Sequence, residues 1–187
     1  MTKSIYNGLI GVGSTRGTVS LYTPNSGEPV VKVLAHNGHV NSFDFTIDGN
    51  YLITAGSDHQ MKVFDIRNTF KEVYAYFTHR EPTNLRVSQT GLVGVSYSDT
   101  ILFWKDCYKE KQKMPYLKHE DKSNALIKDF QFTPYEDFVG MTFNQKFETI
   151  FIPGSSSPDY DTFEDNIARV GKQLREHNVK RLLEKVS

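Results

Sequence analysis

Short apolar runs separated by turn residues recur along this chain. In one stretch, Val40 to Phe45 alternates apolar and polar positions, Asp48-Gly49 marks a turn, and two further apolar runs follow at 51–55 and 61–65. Alternation of this length, bounded by Gly and Asp, is typical of β-strands joined by tight turns. The stretch is therefore predicted to be an antiparallel meander.

The same order of runs appears four times. Aromatic residues close the third run of the first three units, and these residues, Tyr22, Phe64 and Trp104, are spaced 42 and 40 residues apart. A period of about 40–45 residues with four strands per unit is typical of the blades of a β-propeller. An all-β fold is therefore predicted, with blades at about 8–34, 40–78, 84–118 and 126–152.

The predicted propeller is incomplete. No apolar run precedes Leu9, so residues 1–153 are expected to supply about three and a half blades. Closed propellers have about four to eight blades, and an open fan of sheets exposes strand edges. We therefore expect the chain to need additional blades, either from a longer chain or from another chain.

The last residues, 154–187, are predicted to form an acidic linker and then a basic amphipathic α-helical tail. Between positions 169 and 185, six Lys or Arg residues stand against two Glu residues. Such a helix is suited to contact RNA phosphates or a protein partner, and a helix that packs on its own propeller fits the pattern equally well. The residues predicted to make these contacts are Arg169, Lys172, Arg175, Lys180 and Arg181.

Composition limits the partners and the cellular compartment that the chain can have. The 22 basic and 22 acidic residues cancel, so the chain has no strong overall field that attracts nucleic acid or membranes. Cys107 has no cysteine partner for a disulfide, and no apolar run is long enough for a membrane span. A reducing compartment inside the cell is therefore predicted.

The charged stretch at 105–113 is expected to be a solvated loop.

The sequence contains little evidence for a catalytic, cofactor or metal site. The run GVGSTRG at 11–17 has the wrong glycine spacing for a dinucleotide loop, and a strand follows it where a helix is needed. His36, His39 and His59 lack the cysteine or carboxylate partners of a recognised metal site. We predict that the chain is not an enzyme and binds no cofactor or metal.

Several residues of the second and third units resemble the WD-repeat family. In the second unit, a histidine precedes the first strand, a threonine lies on the second, and an aspartate lies in the next turn. The resemblance implies a hydrogen-bonded network that stabilises each blade. In the second unit, Phe64 replaces the family's tryptophan, so the network is expected to end there. The implied structural residues are His36, Thr54, Asp58, Phe64, Asp99 and Trp104.

The end of the chain gives a more specific resemblance. The motif IFIPGSSSPDYDTFEDN, followed by VKRLLEKV, is similar to nucleolar WD-repeat proteins of the small-subunit processome that carry a BING-four C-terminal domain. The resemblance covers about 8–186. It implies a non-catalytic scaffold in the nucleolus that supports pre-ribosomal RNA processing and assembly of the small ribosomal subunit.

The implied partners are processome proteins, pre-ribosomal RNA and the U-three small nucleolar RNA particle, with no role for a membrane. The alternative is a general WD-repeat adaptor that joins proteins in another cytosolic or nuclear complex. The two hypotheses differ in salt dependence, because contacts with RNA phosphates weaken steeply as salt rises.

Overall fold

The computed structural model describes residues 1–67, 70–120 and 125–157, together with Gly171, Lys172, Arg175, Glu176 and Val179. The described residues form fifteen β-strands in four antiparallel sheets. The prediction of an all-β fold is therefore confirmed. In the same ranges, no helix has the length and apolar character needed to cross a membrane.

Each sheet is built from strands that are consecutive in the sequence. The first sheet contains strands β1 to β4, at Thr2–Lys3, Ile10–Gly13, Thr18–Tyr22 and Val31–Leu34. The second contains β5 to β8, at Val40–Phe45, Tyr51–Gly56, Gln60–Asp65 and Glu72–Phe77. The third contains β9 to β12, at Asn84–Val87, Val93–Ser96, Thr100–Trp104 and Leu117–Glu120. The fourth contains β13 to β15, at Ile127–Phe132, Phe138–Phe143 and Phe147–Phe151.

The first sheet corrects the expectation of a half blade. Thr2 and Lys3 form β1, which pairs antiparallel with β2 through Lys3 opposite Ile10. The amide of Ser4 donates to the Leu9 carbonyl at 2.8 Å and closes the connection. The sequence did not predict this strand because two polar residues show no apolar pattern. The first three sheets therefore have four strands each, and the described residues of the fourth sheet form three.

Consecutive sheets enclose apolar cores between them. We call the side of a sheet that packs on the following sheet its front face, and the opposite side its back face. In the second sheet, the front face carries Ile53, Ala55, Met61 and Val63, and the back face carries Phe43, Phe45, Leu52 and Phe64. Because both faces are covered, five of the six residues of β6 are buried. This explains why its apolar run lacks a period of two.

Two glycines on front faces make room for aromatic rings of the next sheet. A Cβ atom on Gly11 would lie 2.5 Å from Cε2 of Phe43, and one on Gly94 would lie 2.7 Å from Cε2 of Phe130. These separations are well below the ~3.5 Å of a favourable carbon–carbon contact. In both interfaces, a phenylalanine on the first strand of one sheet therefore packs on the backbone of the preceding sheet.

Residue contacts divide the chain into two units, Met1–Ser157 and Pro158–Ser187. Most of the predicted tail helix lies outside the described residues, although Lys172, Arg175, Glu176 and Val179 are helical.

Candidate functional site

A buried histidine network ties the loop before β5 to the second sheet. The network consists of His36, Thr54 and Asp58. His36 Nδ1 lies 2.8 Å from Oδ1 of Asp58, and His36 Nε2 lies 2.8 Å from Oγ1 of Thr54. The His36 side chain is fully buried, and the Asp58 side chain is 11% exposed. Asp58 Oδ2 also accepts from the amide of Asn37 at 3.3 Å.

Burial favours the neutral form of the histidine. Desolvation lowers the pKa of His36 below its usual value, and the neighbouring Asp58 carboxylate opposes that effect. The neutral ring then donates from Nδ1 to Asp58 and accepts the Thr54 hydroxyl at Nε2. We assign this tautomer from the partners on each side of the ring. All three side chains are used to join strands and loops.

The network implied by the WD-repeat resemblance runs from a threonine hydroxyl to a tryptophan. The second and third sheets each hold one half of it. Phe64 pairs with Leu52, two residues before Thr54, and Trp104 pairs with Val93, two residues before Val95. The second sheet thus has a hydroxyl but no indole, and the third has an indole but no hydroxyl. Accordingly, Nε1 of Trp104 is buried without a hydrogen-bond partner among the described residues.

Asp99 has different hydrogen-bond partners from Asp58. Its carboxylate accepts from Arg80 and from the hydroxyl of Thr100. The structure therefore places Asp99 in an exposed ion pair, and places Trp104 in the core against Tyr76, with ring centroids 5.2 Å apart.

Asp44 joins the first strands of three sheets, a role that the sequence analysis did not predict. Its carboxylate accepts from the Thr2 hydroxyl at 3.2 Å, the Phe45 amide at 2.9 Å and the Val87 amide at 3.0 Å. Burial raises the pKa of Asp44, and the two amides oppose that shift. A polar residue in an alternating strand usually faces solvent, so its role at an interface was missed.

Two other polar residues make hydrogen bonds between consecutive sheets. Ser42 Oγ donates to the Leu85 carbonyl at 3.2 Å, between the second and third sheets. Asn84 Nδ2 donates to the Lys128 carbonyl at 2.6 Å, between the third and fourth sheets. Front-face residues of the first strands therefore hold the backbone of the next sheet.

Asp137 fixes the turn that contains the PGSSSP motif. Its carboxylate accepts from the amides of Gly154 at 3.0 Å and Ser156 at 2.9 Å, and from the Ser156 hydroxyl at 3.1 Å. These bonds, led by the Gly154 amide, hold the pKa of Asp137 below its usual range. The motif thus stabilises the end of the fourth sheet.

The charged stretch 105–113 was expected to be solvated, and this prediction is wrong in part. Cys107 and Tyr108 are buried in the core between the second and third sheets. The Tyr76 hydroxyl lies 2.8 Å from the Cys107 carbonyl and accepts the amide of Gln112 at 3.1 Å. Burial raises the pKa of the Cys107 thiol to about 12, so the thiol is protonated at neutral pH.

The predicted contact residues of the tail are only partly described. Lys172 and Arg175 are helical and exposed, and the Lys172 Nζ lies 4.0 Å from the Glu176 carboxylate. Arg169, Lys180 and Arg181 lie outside the described residues. Among the residues that are described, no group of three or more His, Cys, Asp or Glu side chains is placed to hold a metal ion.

Four consecutive meanders packed front to back, with a His–Thr–Asp network in one of them, define a WD-repeat protein with a propeller-like fold. Residues 27–65 match the WD domain, G-beta repeat, and residues 115–187 match the BING4CT (NUC141) domain. A chain in the solved "Crystal Structure of Mitotic Checkpoint Complex" shares this fold, with a TM-score of 0.66 and 13% identity over 79% of this chain and 48% of that chain.

Comparison with curated proteins identifies the chain's homologues. It is 35% identical to WD repeat-containing protein 46 of Mus musculus and 32% identical to U3 small nucleolar RNA-associated protein 7 of Saccharomyces cerevisiae. Both matches cover 100% of this chain, and they cover 30% and 36% of those proteins. The chain is therefore a homologue of these WD-repeat proteins, and it spans about a third of their length.

Proposed function

We propose that this chain is a non-catalytic part of a nucleolar scaffold that supports pre-ribosomal RNA processing and assembly of the small ribosomal subunit. The observation that carries this proposal is the match of the entire chain, at 32% identity, to U3 small nucleolar RNA-associated protein 7 of yeast. The BING4CT match at 115–187 supports it, because that segment includes the PGSSSP turn held by Asp137.

The polar side chains described above have structural contacts, and this supports the role of a scaffold. His36 and Asp58 hold a loop on the second sheet, Asp44 joins three sheets, and the Cys107 thiol is buried and protonated. Side chains of these types serve catalysis when they line a cleft that a substrate can enter. Here His36, Asp58 and Asp44 hold structural groups and the Cys107 thiol lies in a core, which leaves loops and sheet faces as the surfaces for partners.

The proposed partners are processome proteins, pre-ribosomal RNA and the U-three small nucleolar RNA particle, in the nucleolus of the nucleus. We assign the propeller-like part the role of a rigid platform, and residues 154–187 the role of a tether. A tether raises the local concentration of whatever it binds. Lys172 and Arg175, both exposed, would contribute cations to RNA phosphates, together with Arg169, Lys180 and Arg181.

A replacement experiment tests the proposal. In yeast, the aligned segment of U3 small nucleolar RNA-associated protein 7 is exchanged for this chain, and precursor and mature small-subunit RNA are measured after depletion of the native protein. We expect the chimera to restore processing. Unprocessed precursor that persists, although the chimera is present at the normal level and in the nucleolus, would contradict the proposal.

Direct RNA contact has a separate test. Binding of the chain to the U-three small nucleolar RNA is measured across a salt series, with the double variant Lys172→Gln and Arg175→Gln. If both cations contact phosphates, the slope of log affinity against log salt should flatten by about one to two. Lys3→Gln together with Lys32→Gln, both exposed on the first sheet, is the matched control and should leave the slope unchanged.

A further inference from the structure

The loop between β11 and β12 is longer than the equivalent loops of the first two sheets. It spans 105–116, whereas the connections from β3 to β4 and from β7 to β8 span 23–30 and 66–71. The Tyr116 amide closes its base by donating to the Phe103 carbonyl at 2.7 Å. The Tyr76 hydroxyl holds its middle through the Cys107 carbonyl. A loop that is fixed at its base and middle loses little conformational entropy when its outer side chains bind a partner.

Three lysines on this loop are exposed cations. The stretch 105–113 contains four lysines and two acidic residues. Lys109 is paired with Asp106, at 2.8 Å from Nζ to Oδ1. Lys105, Lys111 and Lys113 are exposed, and none of them forms an ion pair with a residue that the structure describes. These three cations are therefore available to a negatively charged partner.

An exposed aromatic ring lies beside one of these cations. Tyr116 is 46% exposed, and Lys105 Nζ lies 5.8 Å from the centroid of its ring. Proteins that bind single-stranded nucleic acids stack bases on exposed rings and place cations along the sugar–phosphate backbone. The base of the loop has both components of such a site.

Hydrogen bonds connect this loop to a second exposed tyrosine. The Tyr116 hydroxyl donates at 3.4 Å to the carbonyl of Pro153, which begins the PGSSSP turn. The same turn accepts the Thr90 hydroxyl at 2.7 Å. Next to Thr90, the side-chain oxygen of Gln89 accepts the Tyr135 amide at 3.0 Å. Tyr116 and Tyr135 therefore belong to one continuous surface of the third and fourth sheets.

Tyr135 has a backbone conformation that favours glycine. Its φ angle is 64°, and the turns between the first and second strands of the second and third sheets have Gly49 and Gly91 at φ angles of 64° and 84°. A residue with a side chain is less stable in this conformation than glycine is. Tyr135 nevertheless leaves 49% of its surface exposed. Strained residues of this kind are concentrated at binding sites, which indicates a use for the exposed ring other than stability.

We propose that these two tyrosines and three lysines form a surface that binds single-stranded RNA. The rings of Tyr116 and Tyr135 stack on bases. The lysines, Lys105, Lys111 and Lys113, bind phosphates. An acidic peptide would use the lysines but would leave the strained, exposed Tyr135 without a role, whereas unpaired bases use both kinds of side chain.

The five residues precede the tail in the sequence, so this surface is additional to the RNA contacts assigned to the tail. Its assignment to RNA rests on the proposed function, in which pre-ribosomal RNA is a partner. The probe for the test is a fluorescent oligouridylate of about ten nucleotides. Fluorescence anisotropy measures its binding to the chain. The double variant Lys172→Gln and Arg175→Gln serves as the background, so that these two tail cations do not contribute.

Replacement of Tyr116 tests stacking. Tyr116→Ala should lower the affinity about tenfold or more, and Tyr116→Phe, which keeps the ring and removes the hydroxyl, should retain the affinity. The control is Phe77→Ala, since Phe77 is 81% exposed and ends β8, outside the proposed surface. An affinity that Tyr116→Ala leaves unchanged would overturn the stacking role.

Replacement of Tyr135 separates binding from stability. Tyr135→Gly should raise the urea midpoint of unfolding, because glycine adopts the positive φ angle without strain. The same variant should lower the affinity for the oligouridylate about tenfold. A variant with unchanged affinity, or with a lower midpoint, would contradict the binding role of this tyrosine.

The lysines have a salt-dependence test. Exchange of all three lysines of the surface for glutamine should flatten the slope of log affinity against log salt by about two. The matched control exchanges three exposed lysines on strands, Lys3, Lys32 and Lys128, and should leave the slope unchanged. An oligouridylate duplex with oligoadenylate should bind more weakly than the single strand, because its bases are already stacked. Equal slopes in the two triple variants, or equal affinity for the duplex, would overturn the proposal.

If the isolated chain does not fold, the yeast chimera described above is cross-linked to RNA that contains 4-thiouridine, and the modified peptides are identified by mass spectrometry. We expect cross-links at Tyr116 or Tyr135. Cross-links confined to other parts of the chimera would overturn the surface. A chimera that cross-links at these tyrosines and does not restore processing would contradict the proposed function alone, so the two failures are distinguishable.

Discussion

Removing one hydroxyl from the histidine network should destabilise the second sheet. In Thr54→Val, a methyl group replaces the hydroxyl that lies 2.8 Å from His36 Nε2. Both residues are buried, with Thr54 0% and His36 1% exposed. Water therefore cannot take the place of the hydroxyl, while Asp58 still holds the other ring nitrogen.

The magnitude follows from the unpaired nitrogen. A buried acceptor that loses its partner costs roughly 1–3 kcal/mol, whereas the exchange of threonine for valine leaves the side-chain volume nearly unchanged. We therefore expect the free energy of unfolding to fall by about 1–3 kcal/mol. Exposed Thr142 provides the control, and Thr142→Val should change the free energy by less than ~0.5 kcal/mol.

Equilibrium urea unfolding measures both variants. Trp104 is the single tryptophan of the chain and lies in the core between the second and third sheets, so its fluorescence reports on unfolding of that region. A Thr54→Val variant whose free energy of unfolding matches that of Thr142→Val would refute the assignment of a required hydrogen bond to this hydroxyl.

Three further outcomes are expected. Burial lowers the pKa of His36, so as pH falls the unfolded chain takes up a proton near the ordinary pKa of 6.5, before the folded chain does. The free energy of unfolding should therefore fall from pH 7 to pH 5. His36→Gln should reduce that pH dependence in urea titrations. Val95→Thr should supply an acceptor for the Trp104 indole, raise stability by about 1 kcal/mol and shift the tryptophan emission to longer wavelength; an unchanged spectrum would exclude the bond. Asp137→Ala should increase amide hydrogen exchange at 153–157, and in the wild type the same increase should appear as pH falls through the lowered pKa of Asp137; protection that survives the substitution would show that the turn does not depend on this carboxylate.

Strand positions were largely predictable because alternation and turn residues mark them. The strand at Val40–Phe45 has the bounds that the alternating pattern predicted. Strands with little apolar character were not predictable in this way. Thr2–Lys3 was missed for this reason.

Interactions between sheets were predictable only where a family pattern exists. The partners of His36 were inferred from a resemblance, and the structure brings them together at hydrogen-bond distance. The roles of Asp44 and Tyr76 depend on which strands become neighbours in three dimensions, and local sequence does not encode that. Tyr108 was assigned to solvent with the rest of the stretch 105–113, because the charged residues on both sides of it obscure the apolar pattern.

The most direct test of a role in ribosome assembly is purification of the full-length protein that contains this chain, followed by measurement of the RNA it carries. The expected result is nucleolar protein enriched in small-subunit precursor RNA and U-three small nucleolar RNA relative to large-subunit RNA. Recovery of the protein only in cytosolic complexes free of RNA would contradict that role.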